Sequence, residues 1–217
     1  MFHVEHDAFQ FEESFRRFAS DLAIPFPDSC LPLFLNYFCE LKKWNRAINL
    51  TSIDDDLEIL AKHFIDSIAG VKVIDSMNKS EMLDVGAGAG FPGLPLKLVA
   101  PDLVVELLEP SEKKGAFLRY VVGSLGLQQV TIAATKLEPY AARANRRTFD
   151  YIVVRAFKVD ERGQLLSELL KPGGKVILYR AEPVPTGLSL AGLALAEEVE
   201  YELPSGYGHR VLSVFSK

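Results

Sequence analysis

The spacing of apolar residues changes near residue 80 and divides the chain into two patterns. Before this point apolar side chains recur every three or four positions, as in Phe11, Phe15 and Phe18, which is the period of an amphipathic helix. The acidic run Asp54-Asp55-Asp56 is typical of an N-cap and the first turn of a helix. We therefore expect helices near residues 8–20, 28–46 and 56–70.

After residue 80, short apolar runs alternate with helical stretches. The runs cover residues 82–85, 103–109, 129–134, 151–157, 175–180 and 210–215, and the helical stretches cover residues 92–100, 112–125, 160–171 and 188–196. Such alternation is typical of a parallel sheet with helices on both faces. The segments 197–203 and 209–216 are separated by little more than Pro204-Ser205-Gly206, which predicts an antiparallel hairpin at the sheet edge.

Together the two patterns predict an α/β protein with a Rossmann-like, doubly wound sheet and a C-terminal hairpin over residues 81–217, preceded by a helical N-terminal cap over residues 1–80. The length of 217 residues agrees with one domain and an extension, because a typical domain has roughly 150 residues. The composition, 48% hydrophobic and 24% charged, is that of a globular protein with a buried core and excludes a disordered chain.

Charge and cysteine content limit the possible partners. The net charge of −5 excludes a broad basic coat for nucleic acid, and residues 1–80 hold 8 basic and 13 acidic side chains, so that any RNA contact must be local. Neither a membrane span nor a signal peptide is visible, and we expect a cytoplasmic monomer that binds no membrane. Cys30 and Cys39 are not in CxxC spacing, and we expect reduced thiols in the core.

The strongest chemical signal is a glycine-rich loop over residues 83–93, with the sequence LDVGAGAGFPG, where the first strand ends. Glycines allow a ligand close to the backbone, and Pro92 suits a first helical turn. Read from Gly88, the loop matches the GxGxxG pattern of NAD-binding oxidoreductases. Read from Asp84 through Gly86, Gly88 and Gly90, it matches the DxGxGxG loop of S-adenosylmethionine enzymes. In an NAD-binding loop the first glycine comes directly after the strand, whereas here the four residues that begin with Asp84 precede Gly88. This spacing favours S-adenosylmethionine, with NAD as the alternative.

Carboxylates after the next strands support a nucleoside cofactor. Glu109 ends the second run, where a carboxylate can accept hydrogen bonds from both ribose hydroxyls. Leu137 and Glu138 follow the third run and could flank an adenine ring, although a solvated loop is an equal alternative.

The residues at the end of the fourth run restrict the methyl acceptor. Val154-Arg155-Ala156-Phe157 stands where enzymes that methylate exocyclic amines carry a [DNS]-P-P-[YFW] loop, so such acceptors are disfavoured. Methylation at pyrimidine C5 needs a thiolate, and both cysteines lie in the N-terminal part. A ring nitrogen with a free lone pair, such as guanine N7, remains; it needs no general base, and we therefore assign no catalytic residue and no metal site.

Four segments resemble the bacterial small-subunit ribosomal RNA methyltransferase G family, also called glucose-inhibited division protein B. They are Lys43-Trp44-Asn45 with Asn49-Leu50-Thr51, His63-Phe64-Ile65-Asp66-Ser67, the glycine loop, and Arg155-Ala156-Phe157. The resemblance runs from about residue 30 to the C-terminus. It implies a class I methyltransferase fold and S-adenosylmethionine-dependent methylation of guanine N7 in the decoding region of 16S ribosomal RNA, either naked or in the small ribosomal subunit.

The resemblance also carries expectations for single residues. It places Gly86, Phe91, Leu137, Glu138 and Arg155 at cofactor contacts. Glu109 stands where the family more often has Asp, which lengthens the reach of the carboxylate, and Leu137 replaces a smaller residue. The candidate substrate-binding residues are Asn49, His63, Asp66, Lys113, Lys114 and Arg210.

Basic clusters around Lys42, Lys43 and Arg46, and around Arg143, Arg146 and Arg147, are further possible phosphate contacts. A non-catalytic RNA-binding assembly factor is the second alternative function.

Overall fold

The computed structural model describes residues 2–75, 79–143, 148–156, 159, 162–185 and 190–217. Its strands are β1 (Glu81–Val85), β2 (Val104–Leu108), β3 (Val130–Ala133), β4 (Phe149–Arg155), β5 (Leu170–Arg180), β6 (Ala194–Leu203) and β7 (Gly208–Ser216). They form one seven-stranded sheet in the order β3-β2-β1-β4-β5-β7-β6. Strands β1 to β5 pair in parallel, and β7 is antiparallel to β5 and β6. The predicted fold class and hairpin are confirmed.

The helices flank this sheet and fill the N-terminal part of the chain. They are α1 (Phe2–Asp21), α2 (Leu31–Ile48), α3 (Asp56–Ile59), α4 (Asp66–Ile68), α5 (Gly93–Val99), α6 (Glu112–Ser124), α7 (Leu137–Ala141) and α8 (Gly163–Leu169). A π-helical turn (Leu60–Ile65) joins α3 to α4, and 3₁₀ turns cover Asp28–Cys30, Ala69–Lys72 and Pro204–Gly206. As predicted, the acidic run caps α3, because the Asp55 side chain accepts the Glu58 N–H at 2.8 Å. None of the helices in these described stretches has the length and hydropathy that a membrane crossing requires.

The order of the strands reverses between β1 and β4, which are neighbours in the sheet. From β1 the chain continues to β2 and β3 on one side, and it later returns to form β4 and β5 on the other. The loops after β1 and β4 therefore diverge at the carboxyl edge of the sheet, and ligands of open α/β sheets bind in such a crevice.

The N-terminal helices share a hydrophobic core with one face of the sheet. This core joins Phe15 and Phe64 to Leu94 of α5, Phe117 of α6 and Val153 of β4. The other face packs against α7 and α8 through a second cluster. The cap is thus packed onto the sheet, and the predicted boundary at residue 80 stays a prediction.

Two expectations were wrong. The described part of the stretch 188–196 is not helical, because Leu190 pairs with Leu193 in an isolated bridge and β6 begins at Ala194. Pairing with β7 here overrides the helical tendency of a Leu- and Ala-rich sequence. Cys30 is buried as expected, but Cys39 is exposed and does not belong to the core.

Candidate functional site

The glycine loop adopts a backbone conformation that side chains with a Cβ rarely tolerate. Gly86, Gly88 and Gly90 have φ of 74°, 59° and 95°, which is the region that glycine enters freely. The Gly86 N–H donates to Leu108 O at 2.9 Å and so ties the loop to the end of β2. A Cβ on Gly90 would stand 2.6 Å from the Tyr37 hydroxyl oxygen. The loop is therefore held between the sheet and α2.

Asp84 of β1 stabilises the conformation of this loop. Its side chain is fully buried, and Oδ2 accepts the Gly93 N–H at 2.8 Å. Burial raises the pKa of Asp84 to about 7, although the Gly93 hydrogen bond and the charge of Arg155 lower it. Asp84 lines neither of the two cavities described next, and we assign it to the conformation of the loop.

Glu109 lies beside the loop, directly after β2. Its side chain is buried, with Oε2 accepting the Gly88 N–H at 2.9 Å and Oε1 accepting the Ser111 N–H at 2.8 Å. A carboxylate oxygen can accept more than one hydrogen bond. Both oxygens therefore keep acceptor capacity for a diol while they are held by the backbone, although Glu109, like Asp84, is not in the lining of either cavity described next.

Two cavities of about 230 Å³ each meet at Gly86. The first is mostly apolar and contains Leu108, Leu137 and Glu138 in its walls. Leu137 begins the short helix α7, which the sequence pattern did not predict. The Glu138 carboxylate accepts from Arg162 Nε at 2.8 Å, and its pKa is lowered by its own backbone N–H and by Arg162.

The second cavity is lined by Thr51, His63, Phe91, Lys114 and Arg155, together with the glycine loop. The ring of Phe91 is its central element. The Tyr37 ring stacks on it at 5.3 Å, the His63 ring stacks at 4.9 Å, and Arg155 Cζ lies 5.2 Å from its centroid.

His63 belongs to the π-helical turn, a feature that is frequent at functional sites. Its Nε2 is 2.7 Å from Thr51 Oγ1, and its buried Nδ1 has no hydrogen-bond partner in the described part of the chain. Burial lowers the pKa of His63 to about 3, with the charges of Arg155 and Lys62 acting in the same direction. The imidazole is therefore neutral at ordinary pH and is a weak base.

Arg155 connects the end of β4 to the π-helical turn. Its Nη1 donates to Lys62 O at 3.1 Å and lies 3.4 Å from Asp66 Oδ2. Within the described ranges, Nη1 is the guanidinium nitrogen that has hydrogen-bond partners. The other N–H groups of Arg155 are thus available to a ligand in the second cavity.

Asp66 and Arg210 lie behind Arg155 and line neither cavity. Asp66 is 3% exposed, its Oδ1 accepts the Tyr201 hydroxyl at 2.8 Å, and Arg210 Nε lies 3.6 Å from the same oxygen. Burial raises the pKa of Asp66, while Arg155, Tyr201 and Arg210 oppose this shift. The structure gives these residues a supporting position instead of the expected substrate contact.

Of the remaining residues predicted for the site, some line a cavity and others lie elsewhere. Lys114 lines the second cavity, whereas Lys113 is exposed and lines neither cavity. Asn49 is the left-handed C-cap of α2 and lines a neighbouring polar cavity. Phe157, Arg146 and Arg147 lie outside the described residues.

Sequence reasoning missed the roles of Tyr37 and Thr51. Tyr37 donates to Ala89 O, across 52 positions of the chain, and no sequence signal indicates this contact. Thr51 was visible in the Asn49-Leu50-Thr51 segment but was not selected.

Comparisons with known proteins agree on one family. A family model described as rRNA small subunit methyltransferase G matches residues 31–191. The Ribosomal RNA small subunit methyltransferase G of Staphylococcus haemolyticus is 33% identical over 206 residues, covering 91% of this chain and 86% of that protein. The protein of the same name from Geotalea uraniireducens is 36% identical over 207 residues, covering 92% and 93%.

Solved structures share the fold at lower identity. MtNAS in complex with MTA and tNA has a TM-score of 0.59 at 16% identity, covering 94% of this chain and 85% of that chain. TrmN from Thermus thermophilus has a TM-score of 0.56 at 20% identity, covering 73% of this chain and 53% of that chain. The chain therefore spans about half the length of TrmN.

Proposed function

Because the chain belongs to the rRNA small subunit methyltransferase G family, we propose that it transfers the methyl group of S-adenosylmethionine to N7 of a guanine in 16S ribosomal RNA. S-adenosylmethionine supplies a methyl group activated by a positively charged sulfonium. The residues of this chain bind the two reactants and orient them for in-line transfer.

The cofactor site is supported by the two cavities that meet at Gly86. The apolar first cavity, with Leu137 in its wall, would hold the adenine, and Glu109 would accept the ribose hydroxyl protons. At Gly88 a Cβ would meet Gly86 O at 3.8 Å and otherwise stand in open space. That open space, together with the available N–H groups of Arg155, fits the methionine end of the cofactor.

The observation that carries the choice of acceptor is the chemistry of the second cavity. Among the described residues in its lining there is no carboxylate, and the imidazole of His63 is a weak base. An exocyclic amine or a hydroxyl must lose a proton when it is methylated, but guanine N7 attacks with a free lone pair. A cavity that positions a base without a strong proton acceptor therefore supports N7 as the acceptor.

Two alternatives remain as outcomes of experiment. An NAD-dependent oxidoreductase predicts calorimetric binding of NAD and none of S-adenosylhomocysteine. A non-catalytic assembly factor predicts RNA binding without methyl transfer. Family membership and the spacing of Asp84 to Gly88 favour the methyltransferase.

Tritiated S-adenosylmethionine tests the proposal with two substrates, 16S RNA and small ribosomal subunits, both from cells that lack this protein. We expect label in 7-methylguanosine after digestion of the RNA to nucleosides. Label in any other nucleoside would refute N7 as the acceptor, and absence of label with both substrates would refute the activity.

The proposal includes a monomer that acts in the cytoplasm. Light scattering during size-exclusion chromatography should give the mass of one chain.

A further inference from the structure

A groove along α2 adjoins the second cavity. Its first part, with a volume of about 490 Å³, has an apolar wall that includes Phe11, Phe38 and Leu57. Its second part, of about 480 Å³, is polar and includes Asn45 and Asn49. We call the two parts together the α2 groove. Each volume is within the range of about 300–1,000 Å³ that is usual for pockets holding small organic groups.

The parts of the α2 groove share lining residues with each other, and the polar part shares one with the second cavity. Lys42 and Arg46 line both parts of the groove. Thr51 lines the polar part and also the cavity that contains His63. A ligand in the groove would therefore lie next to the cavity in which the target base would be methylated.

The order of side chains along α2 changes from apolar to polar toward this cavity. Phe38, Lys42, Asn45 and Asn49 follow one another at intervals of four, three and four residues, so they share a helix face. At 1.5 Å per residue, the distance from Phe38 to Asn49 is about 16 Å. Asn45 also fixes the exit of the groove, because its Oδ1 accepts the Thr51 N–H at 2.8 Å.

The α2 groove has a small excess of positive charge in an acidic region, because Asp54 and Asp56 are the two acidic residues beside three basic ones in its lining. Lys42, Lys43 and Arg46 line its first part, where Asp56 is the acidic residue of the lining. Lys42 forms an ion pair with Asp56, and Lys43 Nζ lies 3.5 Å from Glu40 Oε1. Arg46 is exposed and has no ion-pair partner in the described stretches. Its guanidinium can therefore bind an anion from outside the chain.

We propose that the α2 groove binds the single-stranded RNA segment next to the target guanine. This inference rests on the proposed function, since the groove adjoins the cavity assigned to methyl transfer. An unstacked base would lie on the apolar wall, where Leu35 and Leu57 are partly exposed, and the phosphates would contact Lys43 and Arg46. Proteins recognise single-stranded RNA by this combination of a surface for splayed bases and cations for the backbone. The cationic lining favours RNA over an apolar protein segment.

A matched pair of variants separates a local contact from net charge. Arg46→Gln and Lys79→Gln each remove one positive charge from an exposed position, and Lys79 precedes β1 at the edge of the sheet opposite the glycine loop. For Arg46→Gln we expect the KM for RNA to rise about tenfold. The slope of log affinity against log salt should fall by about 0.7. Lys79→Gln should leave both unchanged.

The readouts distinguish binding from folding and catalysis. For Arg46→Gln we expect unchanged kcat and unchanged affinity for S-adenosylhomocysteine, because the cofactor cavities are intact. Equal KM values for the two variants would overturn the proposal.

A natural thiol provides the direct test of the occupant. Cys39 is exposed and lines the first part of the groove, whereas Cys30 is buried. The full chain carrying a short azidophenacyl group on Cys39 is bound to the substrate that the unmodified chain methylates, and the isolated complex is irradiated. We expect cross-links to 16S RNA. Loss of RNA binding on modification, with normal binding of S-adenosylhomocysteine, would also support the proposal.

Cross-links to a ribosomal protein instead of RNA, or an isolated complex without any cross-link, would overturn the proposal. Failure of the proposed function looks different, because the unmodified chain would then methylate no guanine N7.

Discussion

Phe91 is the residue at which distant parts of the chain meet. Tyr37 comes from α2, His63 from the π-helical turn and Arg155 from β4, and all three contact its ring. The conformation of the glycine loop could be predicted from the sequence, because a glycine with positive φ is a local property. The partners of Phe91 could not, because packing between residues far apart in the chain leaves no periodic signal.

Gly86 is the residue shared by both cavities, and its substitution tests the cofactor site. Asp tolerates positive φ better than most residues, so Gly86→Asp should keep the loop while its carboxylate fills the shared space. We expect calorimetry to show a loss of affinity for S-adenosylhomocysteine of about 100-fold or more. Gly123→Asp is the control, since Gly123 is exposed and a Cβ there meets no atom within 4 Å. Equal affinities would mean that the cofactor binds elsewhere.

The lowered pKa of His63 leads to a prediction of how the stability of the protein depends on pH. Its folded pKa of about 3 lies below the usual 6.5, so its contribution to stability is complete above about pH 6.5 and is lost as pH falls toward 3. The unfolding free energy of the unmodified chain should therefore decrease between pH 6.5 and 4.5 more steeply than that of His63→Gln, by up to about 1.4 kcal/mol per pH unit. Urea denaturation at several pH values measures this difference.

His209→Gln is the control for this experiment. In the unmodified chain the His209 side chain is hydrogen-bonded to Glu202, and this contact raises the pKa of His209. The contribution of His209 is present at low pH and is lost as pH rises, which is the opposite sign. Parallel pH profiles for His63→Gln and the unmodified chain would contradict the neutral, buried imidazole.

At the scale of elements, the helical residues 56–72 connect the cap to the sheet. The Asp66 carboxylate of this segment contacts Arg155 of β4, Tyr201 of β6 and Arg210 of β7. A helix over 56–70 could be predicted from apolar spacing and its acidic N-cap. The π-helical turn within it could not, and the segment 188–196 was misassigned, because in both places tertiary contacts decide the backbone conformation.

Substitution of two tyrosines tests how much the hydrogen bond between Asp66 and β6 contributes to stability. Tyr201 donates to the buried Asp66, and Tyr207 donates to the exposed Asp55 at 3.3 Å. Tyr201→Phe removes a hydrogen bond to a buried carboxylate and should lower the free energy of unfolding by about 1.5–3 kcal/mol. Tyr207→Phe should change it by about 0.5 kcal/mol or less. Urea denaturation measures both, and similar values would show that Asp66 does not depend on Tyr201.

At the scale of the molecule, the helical cap and the sheet meet at the crevice between β1 and β4. The cap supplies Thr51 and His63 to the second cavity, and the sheet supplies the glycine loop and Arg155. The class of fold could be predicted from the alternation of strands and helices. The division of the site between the two parts could not, since it depends on how the cap packs against the sheet.

The most direct test of guanine-N7 methylation uses 16S RNA from cells without this protein, complemented by the unmodified chain or by Gly86→Asp. Reduction followed by aniline cleaves RNA at 7-methylguanine, and primer extension locates the break. We predict a break at one guanine with the unmodified chain and none with Gly86→Asp. A break that is present without the protein, or a methyl group that maps to another atom, would contradict the assignment of this chain as a guanine-N7 methyltransferase.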